Sequence, residues 1–382
     1  MYMREPAKTI AARIQTDGSI SFAEFMELAL YHPEGGYYVQ PRVRIGRAGD
    51  FFTNVSVGSA FGEILAEQCY EAFLALGRPV EFTLVEQGAE SGQLAADIVR
   101  RLLELSPVDC ALWRYLVVEP VAQNRAWQAE TLKDSPIQVD WVVSTDDLPS
   151  VAGIVLAHEL LDSFPCDWIE FQNGVWHELR VTASGDRFVP LLSPITDSEL
   201  ATAVRELPRP VTEPYRTEIN LAAPGWVREV SAKLKTGLIL IIDYGYPRSE
   251  YYDPARTDGT LTGYSRHRRI DSVLDQPGQI DITAHLDFTA LAKAAEAAHL
   301  KVLGFADQHH FMVGAAENRL LAIEQASSPT QHDLAFIGTF RSLMHPATMG
   351  LAFKYLLLGN VPLATPLSGF RYGSDPRTAL GY

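Results

Sequence analysis

The sequence predicts an α/β protein: a doubly wound parallel sheet carrying an N-terminal helical cap and a large insertion. Two observations predict it. Short apolar runs alternate with helix-period segments from Phe82 to Ala157, the pattern of parallel strands joined by right-handed crossovers. The first run closes in an acid followed by glycines, Leu84-Val85-Glu86-Gln87-Gly88-Ala89-Glu90-Ser91-Gly92, and the second closes in Glu119. In open parallel sheets, ligands bind outside the carboxyl ends of the strands, where both acids would sit.

The elements follow in chain order. Residues 20–31 have helical period, with Phe22, Phe25, Met26 and Ala29 on one face, and Pro33-Glu34-Gly35-Gly36 forces a turn. Phe61–Leu76 reads as a second amphipathic helix. Phe82–Glu86, Tyr115–Glu119, Val139–Val143 and Ile154–Ala157 read as strands, with helices at Gly92–Leu105 and Val121–Leu132. Asp167–Phe171 and Val175–Thr182 flank Gln172-Asn173-Gly174, a hairpin signal, and Pro190–Pro214 reads as irregular. A helix at Ala223–Leu234 and a strand at Leu238–Asp243 resume the alternation. Tyr244–Thr283 is polar and aromatic without period, as a lid or binding loop would be. Helices at Phe288–Ala298 and Asp333–Leu343 and strands at Lys301–Phe305 and Met349–Leu358 complete the chain, and adjacent His309-His310 read as strand residues. The expected division is a cap over residues 1–78 and a sheet domain over 79–382, with insertions at about 166–222 and 244–286.

Composition bounds the function. A 47% hydrophobic, 21% charged chain of 382 residues supports an ordinary packed core. No apolar run approaches the ~20 residues that span a bilayer. The net charge of −15 repels phosphate backbones, which disfavours nucleic acid and suits a basic, arginine-bearing partner or simple solubility. The three cysteines, Cys69, Cys110 and Cys166, have neither metal spacing nor a disulfide framework, so a reducing cytoplasm is expected.

The loop between Gly88 and Gly92 departs from the spacing that grips a dinucleotide and has no basic residue for a pyrophosphate. A ligand with a ribose and one carboxylate fits better, and S-adenosylmethionine has both. A strand, two glycines and a helix are also an ordinary turn, so other motifs decide. Tyr31-His32-Pro33-Glu34-Gly35-Gly36-Tyr37-Tyr38, Gly49-Asp50-Phe51-Phe52-Thr53, Phe61-Gly62-Glu63, Val118-Glu119-Pro120, His158-Glu159-Leu160-Leu161-Asp162-Ser163-Phe164-Pro165, Asp243-Tyr244-Gly245, Gly259-Thr260-Leu261 and Asp281–Phe288 occur in that order. With them the chain, from about Ile10 to Phe370, resembles the MidA family of S-adenosylmethionine-dependent methyltransferases.

The resemblance implies a class I methyltransferase, Rossmann-like fold, mostly parallel with an antiparallel last strand. It implies S-adenosylmethionine as cofactor, with Glu86, Gly88 and Gly92 around its methionine end and Glu119 on its ribose. The Gly49–Thr53 loop would close over it, and Thr53 and Asp146 complete the cofactor set. The family includes a mitochondrial protein arginine methyltransferase that assists assembly of respiratory complex I. An arginine-bearing protein, such as a respiratory complex subunit, is therefore the implied partner, and the mitochondrial matrix the implied compartment in a eukaryote. A homodimer is compatible with the sequence and not specified by it. Two residues depart from the family: Glu90 replaces the middle glycine of the loop, and His158 replaces an asparagine.

The chemistry of arginine gives the acids a task. A guanidinium is always charged and needs carboxylates to orient one nitrogen. Glu159 and Asp162 stand at i and i+3, on one face if helical, after a buried strand. They read equally as a substrate clamp, with His158 beside them, or as helix-capping acids. His158 and Asp162 lack a third metal ligand. Tyr244, His32 and His267 are candidate substrate-lining residues, each with a packing or turn role as its alternative, and Trp113, Trp127 and Trp141 read as core. Two functions remain open: an arginine methyltransferase, or an assembly scaffold of the same fold, which Glu90 favours.

Overall fold

A computed structural model describes residues 4–40, 53–265, 268–345 and 351–382. Among the described residues, seven strands form the main path of the eight-stranded central sheet: β1 (Phe82–Gln87), β2 (Trp113–Val118), β3 (Gln138–Val142), β4 (Val151–His158), β5 (Leu234–Tyr246), β6 (Lys301–Asp307) and β7 (Phe353–Gly359). Their order is β6-β7-β5-β4-β1-β2-β3. β1 pairs in parallel with β2 and β4, β2 with β3, and β4 with β5. β7 is antiparallel to both β5 and β6, between which it lies. The last strand is therefore antiparallel, as expected, and internal to the sheet. The strand order reverses beside β1, so the carboxyl ends of β1 and β4 flank the topological switch point.

The chain divides into two units. One comprises Phe52–Leu160, Trp226–Gly245 and Phe288–Tyr382, and the other Met1–Phe51, Leu161–Gly225 and Tyr246–Asp287. The first holds the sheet. Its core joins Leu84, Leu156, Leu240 and Ile242 of the strands to Phe61, Leu94, Ile98 and Phe311 of the covering helices. Gly62 has a packing reason: a Cβ there would lie 2.5 Å from the Asp97 Cβ, so only glycine lets helix Ala60–Ala75 lie this close to helix Gln93–Leu105.

The second unit has its own core of Ile10, Phe22, Phe25, Cys166 and Val181. Ser21 caps helix Phe22–Tyr31 by accepting the Glu24 N–H at 3.0 Å. The predicted hairpin forms between Asp167–Gln172 and Val175–Ser184, and Asn173 and Gly174 both take the positive φ that its turn requires.

Three expectations are corrected, and one element joins those read from the sequence. Pro190–Pro214 is not irregular throughout: Arg187–Ser193 is a strand and Ser198–Arg205 a helix capped by Asp197. Pro190 is tolerated because this strand ends its sheet, where a missing N–H costs no pairing. Tyr244–Thr283 holds three short strands, Thr262–Ser265, Arg268–Ile270 and Asp281–Thr283, of too few residues to show a period. His309 and His310 open helix Gln308–Gln325, started by Asp307 accepting the His310 N–H. Helix Glu5–Asp17 precedes the first element read from sequence.

Candidate functional site

Glu86 sits near the end of β1 with 2% of its surface exposed, and the Tyr115 hydroxyl donates to its Oε2 at 2.6 Å. Burial pushes the Glu86 carboxyl up to about 7, against the Tyr115 hydrogen bond and nearby His158, which favour the charged form. The chain then turns through left-handed residues. Gly88 has φ 82°, Glu90 φ 42° and Gly92 φ 79°. A Cβ on Gly88 would approach Leu160 Cδ1 to 3.2 Å, closer than a side chain settles without displacing its neighbour.

Glu90 is the exception in this loop, because a side chain in the left-handed region costs roughly 1–2 kcal/mol. Glycine would relieve that cost and give back part of it as unfolded-chain entropy. Glu90→Gly is expected to stabilise the protein by about 0.5–1 kcal/mol in thermal denaturation. A destabilised variant would mean that the Glu90 side-chain contacts outweigh the strain.

Glu119 follows β2 and is 5% exposed. Its Oε1 accepts the Val121 N–H at 2.9 Å and its Oε2 accepts from Gln128 Nε2 at 3.1 Å. Gln128, fully buried on helix Ala122–Thr131, also donates to the Glu90 carbonyl at 3.0 Å and accepts from Trp141 Nε1 at 3.0 Å. Sequence reading missed Gln128. The available signal was a pair of amides, Asn124 and Gln128, at i and i+4 on the buried face of that helix.

At the end of β4, His158 is buried between the rings of Phe61 and Phe353, with centroids 4.8 and 6.0 Å away. Its Nε2 lies 3.2 Å from Glu159 Oε1. The helix that would set both acids on one face does not form. Glu159 takes φ 48° and donates its N–H to the Ile242 carbonyl at 3.0 Å, and only Leu161–Ser163 makes a 3-10 turn. Asp243, also missed as a functional residue, accepts the Leu160 N–H at 3.2 Å and so fixes the turn that aims Glu159.

The sheet unit thus brings Glu86, Gly88, Gly92, Glu119, His158 and Glu159 to the carboxyl ends of three neighbouring strands. Thr53, Asp146 and Tyr244 belong to the same unit. Thr53 is buried before the turn Asn54–Val57, Asp146 is exposed in the turn after β3, and Tyr244 packs on Phe353 at 4.1 Å. Asp162 and His32 belong to the second unit. Asp162 is buried and its carbonyl accepts the Ala284 N–H, while the two His32 ring nitrogens engage the Glu34 N–H and Thr9 Oγ1 at 3.0 Å each. His267 and residues 49–52 lie outside the described residues. Among the described residues, no group of three His, Cys, Asp or Glu side chains could hold a metal ion, and no helix is long and apolar enough to cross a membrane.

The donor set suits a ligand with a cationic amine and a ribose. Glu86 is a buried carboxyl that a positive charge would ionise, Glu119 is a carboxylate at the next strand end, and Gly88 leaves the space that a Cβ would fill. A family model described as S-adenosyl-L-methionine-dependent methyltransferase matches residues 64–306. The chain is 29% identical to the mitochondrial protein arginine methyltransferase NDUFAF7 of Danio rerio, over 92% of this chain and 86% of that one. With the Homo sapiens protein of the same name, identity is 28% over 91% and 81%. A crystal structure from Burkholderia thailandensis with S-adenosyl-homocysteine bound is similar at a TM-score of 0.87 and 31% identity, covering 98% of this chain and 96% of that one.

Proposed function

The chain belongs to the MidA-type family of S-adenosyl-L-methionine-dependent methyltransferases, and from that premise we propose that it methylates arginine on a partner protein. The observation that carries the reading is the convergence of Glu86, Glu119 and Glu159 at the ends of β1, β2 and β4 around the glycine loop. S-adenosylmethionine supplies a methyl group on a sulfonium centre. In this reading Glu86 pairs with the amine of the cofactor and Glu119 accepts from its ribose, with Thr53 and Asp146 completing the set.

Glu159 is the acid proposed to orient the guanidinium of the incoming arginine, whose charge must be matched because an unpaired buried ion is very costly, and Asp162 is the second candidate acid for that charge. His158, whose Nε2 lies 3.2 Å from Glu159 Oε1, is the neighbouring group in this reading. Tyr244, His32 and His267 are the further substrate-facing candidates. The names of the relatives support arginine as the acceptor. A respiratory complex subunit is the partner class that the family implies. Cys69, Cys110 and Cys166 are free and buried thiols, which suits a reducing compartment such as cytoplasm or mitochondrial matrix.

A second reading, an assembly scaffold that keeps the fold, is favoured by Glu90 standing left-handed in a glycine's place. Calorimetric titration with S-adenosylmethionine separates the two. The wild type is expected to bind, and Glu119→Ala to weaken binding by roughly 1.5–3 kcal/mol, the range for hydrogen bonds to a charged group. Unchanged affinity in a folded Glu119→Ala variant overturns the ribose assignment. A wild type that binds no cofactor leaves the scaffold.

A further inference from the structure

We propose that Gln128 is the positioning residue that sets how the protein recognises the ribose hydroxyls, and that it does so by tying Glu119 to the glycine loop. The inference rests on the cofactor reading above and deepens it. Gln128 is fully buried, and its one amide reaches three separate parts of the chain. Nε2 donates to Glu119 Oε2 at 3.1 Å and to the Glu90 carbonyl at 3.0 Å, while Oε1 accepts from Trp141 Nε1 at 3.0 Å.

The orientation of this amide is over-determined. An indole N–H only donates, so Oε1 must face Trp141, and a carboxylate and a carbonyl only accept, so Nε2 must face Glu119 and Glu90. Both amide N–H groups are thereby used. Neither a shorter nor an apolar side chain reproduces the three contacts.

Two consequences follow for Glu119. One oxygen is held by the Val121 N–H and the other by Gln128, so its carboxylate plane has a single orientation toward a vicinal diol. The same amide pins the carbonyl of Glu90, the loop residue in the left-handed region. Grip on the ribose and the shape of the loop are therefore coupled through one side chain. Gly92 contributes to the fit: a Cβ there would lie 3.4 Å from the Gln128 Cα, so helix Ala122–Thr131 approaches the loop closely.

The test compares S-adenosylhomocysteine with its 2′,3′-dideoxy analogue, which lacks the diol and is otherwise the same. The wild type is expected to prefer S-adenosylhomocysteine by about tenfold or more. In Gln128→Met, which keeps length and loses every polar contact, S-adenosylhomocysteine should weaken by about tenfold while the analogue changes little, so the preference collapses. A purely structural role would weaken both ligands equally, and that result overturns the proposal, as does a preference retained in full. Trp141→Phe removes only the donor that orients the amide. It should lower the preference in the same direction by a smaller factor, and it carries the test if Gln128→Met does not fold. A wild type that binds both ligands equally overturns the ribose assignment itself, and the proposal with it.

Discussion

Glu86→Gln is expected to stabilise the unliganded protein at pH 8 and to weaken its hold on S-adenosylmethionine. The two effects have opposite signs and one cause. The Glu86 carboxyl titrates near 4.5 when unfolded and near 7 in the folded chain, raised by burial. Between those values the folded chain holds a proton that the unfolded chain has lost. Stability from this group is therefore complete below pH 4.5 and declines as pH rises through about 7. Above that, the folded state carries a buried charge at a cost of about 3 kcal/mol, since each tenfold change in proton affinity is worth ~1.4 kcal/mol.

Glutamine has no charge to bury at any pH, and its amide oxygen still accepts from Tyr115. Thermal denaturation at pH 8 should show a gain approaching about 3 kcal/mol, and at pH 4.5 almost none. Calorimetry should show cofactor binding weakened by roughly 1.5–3 kcal/mol, because in the proposed reading the amine would lose its charged partner. The wild type should also bind less tightly as pH falls below about 7, where Glu86 takes up a proton. A variant equally stabilised at both pH values, or one that binds as tightly as wild type, contradicts the role of Glu86.

Glu159→Gln is expected to lower methyl transfer to an arginine-bearing protein by about 10²–10³-fold, the scale for removing one aimed polar group from an active site. Cofactor affinity should stay near wild type. Glu159 is a non-glycine residue at φ 48°, and its backbone is held on both sides, by the Ile242 carbonyl and by Asp243 on the next N–H. Such conformations persist only where the surroundings dictate them, and they cluster at functional sites. The substitution keeps the shape and removes the charge, so a loss of rate reports the charge. Asp162→Asn tests the second proposed acid separately, with the same expected loss. If either variant transfers methyl groups to arginine at the wild-type rate, that residue has no part in a clamp.

The elements with a period or a strong local signal were legible in the sequence. The alternation from Phe82 to His158 needs only the spacing of apolar residues, and the Asn173-Gly174 turn needs only two residues that accept positive φ. The acids at the ends of β1 and β2 were legible for the same reason, since a strand ends where its apolar run ends. Arg187–Ser193 was not, because proline argues against a strand until the strand is seen to end its sheet. The turn at Glu159 was not, because its conformation comes from Ile242 and Asp243, more than eighty positions away.

By itself the sequence determined the α/β class, the strand-end positions of Glu86 and Glu119, the two turn glycines and the family resemblance, all of which are written in neighbouring residues or ordered motifs. Only the tertiary structure decided that β7 lies between β5 and β6, that burial lifts the Glu86 carboxyl, and that Gln128 joins Glu119, Glu90 and Trp141. Strand order, desolvation and a shared amide all depend on which distant segments come to lie side by side, and no local periodicity encodes that.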